Sequence, residues 1–309
     1  MDMPAWTVQM HANDLAHPYR FTVQGVGGEQ AELLLTVQQM KLLNARFSRS
    51  YLKRCRAERI IDAIENASNY RQLEEIARSY SLCDACDFAD INIYGLKRVL
   101  KVVVNVLYRY PRLRSKMCYL GSPRGYSAAM ERMMRGDTSV LHDFALQYIC
   151  EESVARRLGV LMRNLIGSML SHSESYIAMA IFAFGMFDAV LLDENDYEGY
   201  AYIQLVSSLR RDAASGFHPQ GCWSPESVVY HELGHLIDYL CCLSEKFSLV
   251  DYVRTLSAYD VRAGLSQYAT TSTQELIAEA FAEYMCNDRP RPIAQRIGQI
   301  MDAEYARLP

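Results

Sequence analysis

The sequence of 309 residues predicts an α+β fold. Three observations support this class: apolar residues recur at helical spacing through the first third of the chain, short β-compatible runs follow in the middle, and amphipathic helical patterns return in the last third. No internal repeat or low-complexity segment interrupts this order. We therefore expect a mainly helical region of unknown role at residues 1–112 and a second domain at residues 113–309.

The helical prediction for the N-terminal region depends on two segments. Residues 31 to about 80 carry apolar side chains at helical spacing, as in Leu34, Val37, Met40 and Leu43. Residues 95–108 repeat the pattern, and Pro111 ends it because the residue before a proline disfavours the helical conformation. Seven basic residues lie between positions 41 and 59. We interpret them as a solvated helix face, since this needs no anionic partner.

The second domain contains the predicted strands. Met117–Leu120 is a short apolar run before a Gly-Ser-Pro turn, which is typical of a buried strand. Residues 177–184 and Ala201–Val206 are β-compatible runs of strand length, although periodicity does not separate the first from a buried helix. Residues 141–170 have a helical pattern, and a turn-rich loop at residues 216–221 precedes the last helices.

Composition and charge narrow the classes of function. Apolar residues make up 50% of the chain and charged residues 22%, which is typical of a globular protein. A net charge of −4 gives no reason to expect nucleic acid or an anionic membrane as partner. The longest apolar run, residues 176–187, is too short for a membrane span. The N-terminus has no secretory signal pattern, and the nine scattered cysteines favour reduced thiols, so a cytoplasmic location is predicted, with export by another route left open.

One helix carries the most informative motif, His231-Glu232-Leu233-Gly234-His235. Ser224-Pro225-Glu226 predicts its start, because serine is a good N-cap and proline suits the first helical position. A buried face is predicted from apolar residues at helical spacing: Val229, Leu233, Leu236, Ile237 and Leu240. His231 and His235 lie one turn apart, so both imidazoles can bind one metal ion.

Glu232 is predicted to work beside the metal without binding it. On a helix it lies about 100° around from His231, close enough to reach a water on the ion. A metal ion acidifies such a water and polarises a carbonyl, while a carboxylate can take the proton and pass it to the leaving amine. The motif therefore predicts a metal hydrolase with Glu232 as its general base.

A catalytic zinc ion usually has three protein ligands, so a third is expected downstream. Glu275 and Glu279 lie one turn apart on a predicted helix at residues 272–283, and we expect Glu275 to bind the metal while Glu279 orients a histidine. Ser272 and Glu275 also form a capping-box pattern, which would use Glu275 for backbone donors. Thr271 and Gln274 form the same pattern and would leave Glu275 free.

Two further polar residues, Asp238 and His218, have competing interpretations. Asp238 shares the face of His231 and His235 and is either a second residue that orients a ligand or an ordinary surface acid. His218 either lines the site or is an exposed loop histidine. Ala278 and Ala282 are small enough to let the histidine helix approach the glutamate helix closely.

The last third of the chain resembles the metallopeptidase domain of anthrax lethal factor and the related Pro-Pro endopeptidases. In that family a His-Glu-x-x-His helix is followed by a tyrosine and, seven residues later, by a glutamate that opens a Glu-x-x-Ala-Glu-x-Phe-like helix. Here Tyr268 and Glu275 have that separation. The resemblance implies a zincin-like domain of the gluzincin type, with His231, His235 and Glu275 as zinc ligands. It also implies that Glu232 is the general base and that Tyr268 donates a hydrogen bond in the transition state. Glu279 would contact a metal ligand without binding the metal itself.

These observations predict a zinc-dependent endopeptidase with a peptide or protein substrate. By similarity to other zincins, the substrate would lie extended along a sheet edge, for which Ala201–Val206 is the candidate. Similar domains occur in prophage-encoded proteins, which fits the absence of a signal pattern. Two alternatives remain: a phage-structural or interaction protein that keeps zinc for stability, and a zinc hydrolase acting on a non-peptide amide. A purely structural site has no need of a base such as Glu232.

Overall fold

The computed structural model describes residues 5–10, 19–24, 30–35, 56–89, 91–126, 128, 178–181, 188–192 and 199–308. Its contacts divide the chain into two compact units, Met1–Arg59 and Ile60–Pro309. Together the described residues form an α+β protein that is mostly helical.

The first unit contains a three-stranded antiparallel sheet in the order β1-β2-β3. Its strands are β1 (Ala5–Met10), β2 (Tyr19–Gln24) and β3 (Gln30–Leu35). The prediction of helix from Ala31 is therefore wrong at its start. Along β2, aromatic or aliphatic residues alternate with polar ones, which is the period of a strand. Residues 30–35 do not keep this alternation and pair with β2 as strand β3. The basic segment lies largely outside the described residues.

The second unit contains the remaining elements. It begins within helix α1 (residues 56–66). The next helices are α2 (Tyr70–Ser79), α3 (Ile93–Arg109), α4 (Gly199–Ser215) and α5 (Pro225–Cys241). The last are α6 (Phe247–Arg254), α7 (Ala258–Gly264), α8 (Thr273–Cys286) and α9 (Pro292–Ala306). Short 3-10 helices lie at Pro111–Lys116, Leu243–Glu245 and Tyr268–Thr270. Among the described residues, no helix combines the length and apolar character needed to cross a membrane.

Helix α3 packs against α5 in the second unit. Its valine-rich face, which includes Val99, Val103 and Val106, is fully buried. The boundary between units therefore lies at Arg59 and Ile60, earlier than the predicted division at residues 112 and 113, because α3 contributes to the core around the motif helix.

A four-stranded sheet in the order β4-β5-β7-β6 belongs to the second unit. Strands β4 (Ala85–Asp87), β5 (Tyr119–Gly121) and β7 (Ala189–Leu192) are parallel, and β6 (Ala178–Ile181) pairs antiparallel with β7. Within the described residues β6 is therefore an edge strand. The strand predicted at 117–120 is confirmed with a small shift, and the run at 177–184 contains β6.

The predicted edge strand Ala201–Val206 is wrong, because these residues lie inside helix α4. Leu205, Leu209 and Ala213 are buried at intervals of four residues, which is the spacing of one helix face, while Ile203 is 60% exposed. The short apolar run at 201–206 fits the period of a strand and the period of a helix equally well. The longer pattern of buried residues through Ala213 fits only a helix. The predicted helix at 141–170 lies outside the described residues.

Helices α5 and α8 form the centre of the second unit and pack directly on each other. At Gly234 a Cβ atom would lie only 3.0 Å from the Cα of Ala278 and 3.1 Å from the Cβ of Phe281. The predicted close approach through small residues is therefore observed. It fixes the distance between the helix that carries the histidines and the helix that carries the glutamates.

The two helices begin differently. Ser224 is the N-cap of α5, as predicted, but its side chain makes no capping hydrogen bond. Ser272 caps α8, and its Oγ accepts a hydrogen bond from the backbone N–H of Glu275 at 3.1 Å. The carboxylate of Glu275 does not complete the capping box, so it is free to face α5.

Candidate metal centre

His231 and His235 meet on one side of α5. Their Nε2 atoms lie 3.1 Å apart, and their rings stand edge to face with centroids 4.7 Å apart. This arrangement follows from the four-residue spacing on a helix whose opposite face is buried through residues such as Leu233 and Leu236. The two side chains are only 12 and 15% exposed.

Glu275 completes the cluster from the first turn of α8. Its Oε2 lies 3.1 Å from Nε2 of His231 and 3.5 Å from Nε2 of His235. This oxygen is buried and receives no hydrogen bond with acceptable geometry from the described residues. A buried, unsatisfied carboxylate oxygen is costly unless something else compensates its charge.

The three residues could hold a metal ion together. One ligand atom from each of His231, His235 and Glu275 lies within 4.8 Å of the others. Two imidazole nitrogens and a carboxylate oxygen are ligands that zinc and other first-row transition metals accept. The unsatisfied oxygen of Glu275 fits such an ion, because coordination would supply its missing partner.

Glu279 lies behind His231, one turn after Glu275. Its Oε1 is 2.9 Å from Nδ1 of His231, which leaves Nε2 of that ring for the cluster. Burial opposes ionisation of Glu279, but hydrogen bonds from His218 and His231 outweigh it and lower its pKa to about 2. Burial lowers the pKa of His231, but Glu275 and Glu279 outweigh this effect and raise it to about 10. The two carboxylates therefore favour positive charge at this ring, which either a proton or a metal ion can supply.

Glu279 also holds two residues outside the helix pair. The hydroxyl of Ser266 donates to its Oε2 at 2.7 Å, and Nδ1 of His218 lies 3.2 Å from its Oε1. Its side chain is 2% exposed, so the carboxylate is compensated entirely by these neighbours. His218 thus lies at the site, the first of its two predicted alternatives.

Glu232 contacts the edge strand β6 as well as lying beside the cluster of His231, His235 and Glu275. Its Oε2 accepts a hydrogen bond from the backbone N–H of Ala180 in β6 at 2.6 Å. Burial raises its pKa above the usual value, and the neighbouring histidines only partly offset this. Its Oε1 makes no hydrogen bond to the described residues. Glu232 is therefore a buried carboxylate of raised pKa beside the cluster of His231, His235 and Glu275.

Tyr268 lies over the ring of His231, with ring centroids 6.0 Å apart. Burial and the negative charges of Glu275 and Glu232 raise its pKa to about 12, so the phenol keeps its proton at neutral pH. Its hydroxyl makes no hydrogen bond to the described residues. Tyr268 can therefore donate a hydrogen bond to a group bound at the cluster.

Asp238 matches neither of its predicted environments. It is 6% exposed, so it is not a surface acid. Its Oδ1 accepts a hydrogen bond from the backbone N–H of Ser244 at 2.9 Å, and no hydrogen bond joins it to His231 or His235 in the described structure. Asp238 therefore fixes the turn after α5. It still lines the cavity beside His235.

Two cavities meet at the cluster. One of about 310 Å³ is lined by Ala178, His218 and Tyr268 and by apolar residues such as Leu209, Val228 and Ala282. The other, of about 660 Å³, is lined by residues that include Ala180, His235, Asp238, Glu245 and Glu275. Tyr268 and Glu232 border both. The cluster thus lies in the middle of a cleft with β6 along it.

Sequence reasoning missed the residues that hold the tyrosine in place. Arg291 donates to the backbone oxygen of Leu265 and pairs with the buried carboxylate of Glu283 at 2.7 Å. Ser266 donates to Glu279, as described above. These contacts join segments far apart in sequence, and no local spacing predicts them. In the sequence, the only available signal is that Glu283 lies one turn after Glu279 on the same helix face. The structure shows that Glu283 is 1% exposed.

Comparisons with protein-family models, with curated proteins and with solved structures gave no match to this chain.

Proposed function

We propose that this chain is a zinc-dependent endopeptidase with a zincin-like domain, as its resemblance to the lethal factor and Pro-Pro endopeptidase family implies. The observation that carries the proposal is the cluster of His231, His235 and the buried carboxylate oxygen of Glu275, which has no hydrogen bond from the described residues. Glu232 lies beside this cluster and accepts a hydrogen bond from the backbone of Ala180. A structural metal site needs no such glutamate and usually has four protein ligands.

His231, His235 and Glu275 would hold the zinc ion, which would acidify a water and polarise the scissile carbonyl. Glu232 takes a proton from that water as its oxygen forms a bond to the carbonyl carbon. Glu232 then delivers the proton to the amide nitrogen, and the carbon–nitrogen bond breaks. Tyr268 donates a hydrogen bond from its hydroxyl group to the carbonyl oxygen as negative charge develops there, and it keeps its proton.

The edge strand β6 supports a peptide as the substrate class. Ala178 and Ala180 line the cleft together with Glu232 and Tyr268. An extended peptide can add to a sheet edge through main-chain hydrogen bonds. The backbone N–H of Ala180 already donates to Glu232, so a peptide would pair with the other edge groups of β6. We propose β6 as this edge, because Ala201–Val206 lies in a helix.

The purified protein is expected to bind one zinc ion per chain and to cleave members of a degenerate peptide library. His231→Ala and His235→Ala should each lower zinc content and cleavage together, because each removes one of three ligands. Metal content is measured by elemental analysis and cleavage by mass spectrometry. Stoichiometric zinc in the double histidine variant would assign the metal to other residues, such as the cysteines, and contradict the proposal.

Glu275→Gln and Glu279→Gln form a matched pair that separates the third ligand from the residue behind it. Glu279→Gln should weaken zinc binding about 10- to 100-fold, the usual cost of losing an orienting carboxylate. Glu275→Gln should weaken it further, because a ligand charge is lost. Competition with a chelator of known affinity measures both. The reverse order would make Glu279 the ligand.

A further inference from the structure

His218 has a free polar atom in the cleft that the proposed reaction does not use. Its side chain is 25% exposed and lines the cavity of about 310 Å³ with Tyr268 and Glu232. Its Nδ1 faces both oxygens of Glu279, at 3.2 and 3.3 Å. Its Nε2 has no partner among the described residues.

The contact with Glu279 determines which nitrogen of a neutral His218 ring carries the hydrogen. Glu279 is an acceptor, since Ser266 already donates to it. Nδ1 of His218 therefore carries the hydrogen, and Nε2 presents a lone pair to the cavity. In this state Nε2 is a hydrogen-bond acceptor.

The ring is held firmly beside Tyr268. Its centroid is 5.0 Å from that of Phe217 and 5.6 Å from that of Tyr268, both edge to face. The backbone N–H of Tyr268 donates to the oxygen of Phe217 at 3.0 Å, which joins the two segments. Gly221 (φ +84°) allows the same loop to lie against Asn287, whose Nδ2 donates to the oxygen of Gln220 at 2.8 Å. His218 and Tyr268 thus form one fixed wall.

This wall complements the outer edge of an extended peptide. A strand presents N–H and C=O groups on both edges. Ala178 of β6 lines the same cavity as His218 and Tyr268, so the second edge of a peptide paired with β6 would be available to these two side chains. Tyr268 offers a donor for a C=O group, and His218 offers an acceptor for an N–H group. Buried peptide groups without such partners would cost binding free energy.

We propose that Nε2 of His218 accepts a hydrogen bond from a main-chain N–H of the substrate, next to the carbonyl served by Tyr268. This inference rests on the proposed endopeptidase function. It makes His218 a substrate-binding residue in addition to a partner of Glu279.

Two variants separate these two contacts. His218→Asn keeps an amide N–H near the position of Nδ1, so it retains the contact with Glu279 but has no atom at the position of Nε2. His218→Gln instead reaches the position of Nε2 and restores an acceptor there. The probe is the best-cleaved member of a degenerate octapeptide library, with analogues N-methylated at one amide at a time.

One N-methyl analogue, within two residues of the scissile bond, should lose about three- to tenfold in kcat/KM with the parent protein, the usual worth of one hydrogen bond. The same analogue should lose a similar factor with His218→Gln but nothing with His218→Asn, which already lacks the acceptor. Zinc content should be equal in the parent protein and in His218→Asn, which keeps the contact with Glu279.

Equal N-methyl effects in the parent and His218→Asn at every amide would overturn the inference and leave the peptidase intact. Loss of zinc from His218→Asn would also overturn it, because His218 would then act only through Glu279. A parent protein that holds zinc but cleaves no library member would remove the proposed function, and this contact with it.

Discussion

Glu232→Gln should abolish peptide cleavage and leave the zinc content unchanged. Glutamine has the shape of glutamate and can still accept the hydrogen bond from the backbone N–H of Ala180. Its amide group, however, cannot take a proton from water. Loss of a general base typically costs about 10² to 10⁴ in rate. The measurement is kcat on the best-cleaved library peptide, with metal analysis of the same sample.

Glu226→Gln is the matched control for this variant. Glu226 lies on the same helix and pairs with Arg98 at 2.7 Å, away from the cluster. This variant should cleave peptides like the parent protein. A Glu232→Gln protein that also cleaved at the parent rate would make the zinc structural, and the endopeptidase proposal would have to be given up.

Tyr268→Phe should lower kcat about 100- to 1,000-fold with little change in KM. The variant keeps the ring contacts with His231, His218 and Phe217 and loses only the hydroxyl. The partner of that hydroxyl carries its full charge only in the transition state, so the loss should fall on turnover and not on ground-state binding. Steady-state kinetics on one peptide, at saturating and limiting concentrations, separates the two.

Tyr259→Phe is the control for the loss of a tyrosine hydroxyl. Tyr259 lies on α7 and is 78% exposed. Its variant should match the parent in both constants. A rise in KM without a fall in kcat for Tyr268→Phe would instead assign the hydroxyl to substrate binding.

The parts of the site that one helix determines were predictable from the sequence. His231, Glu232 and His235 owe their relative positions to helical spacing, and α5 has the start and the buried face that the sequence indicates. Glu275 and Glu279 are separated by one turn in the same way. The hydrogen bond between Glu279 and His231 then follows once α5 and α8 are adjacent, and Gly234 with Ala278 gave the signal for that contact.

The parts that depend on distant segments were not predictable. Nothing near Ala180 in the sequence indicates that its backbone N–H meets Glu232, because strand order is set by the whole sheet. The run at 201–206 was misassigned since six residues fit both periods, and its burial depends on packing in the second unit. Likewise, Arg291 donates a hydrogen bond to the backbone oxygen of Leu265, three residues before Tyr268. These residues are far apart in sequence, so no local pattern predicts the contact.

If the proposed function holds, the shared position of Glu279 links the binding of zinc thermodynamically to the binding of substrate. One carboxylate accepts from the ligand His231 and from the cleft residue His218, so a change at either ring alters the charge available to the other. Such coupling is reciprocal: if zinc raises the affinity for a peptide by some factor, the peptide raises the affinity for zinc by the same factor. A loaded site would then retain its ion best while a peptide occupies it, and a protein that meets little zinc would lose it mainly between substrates.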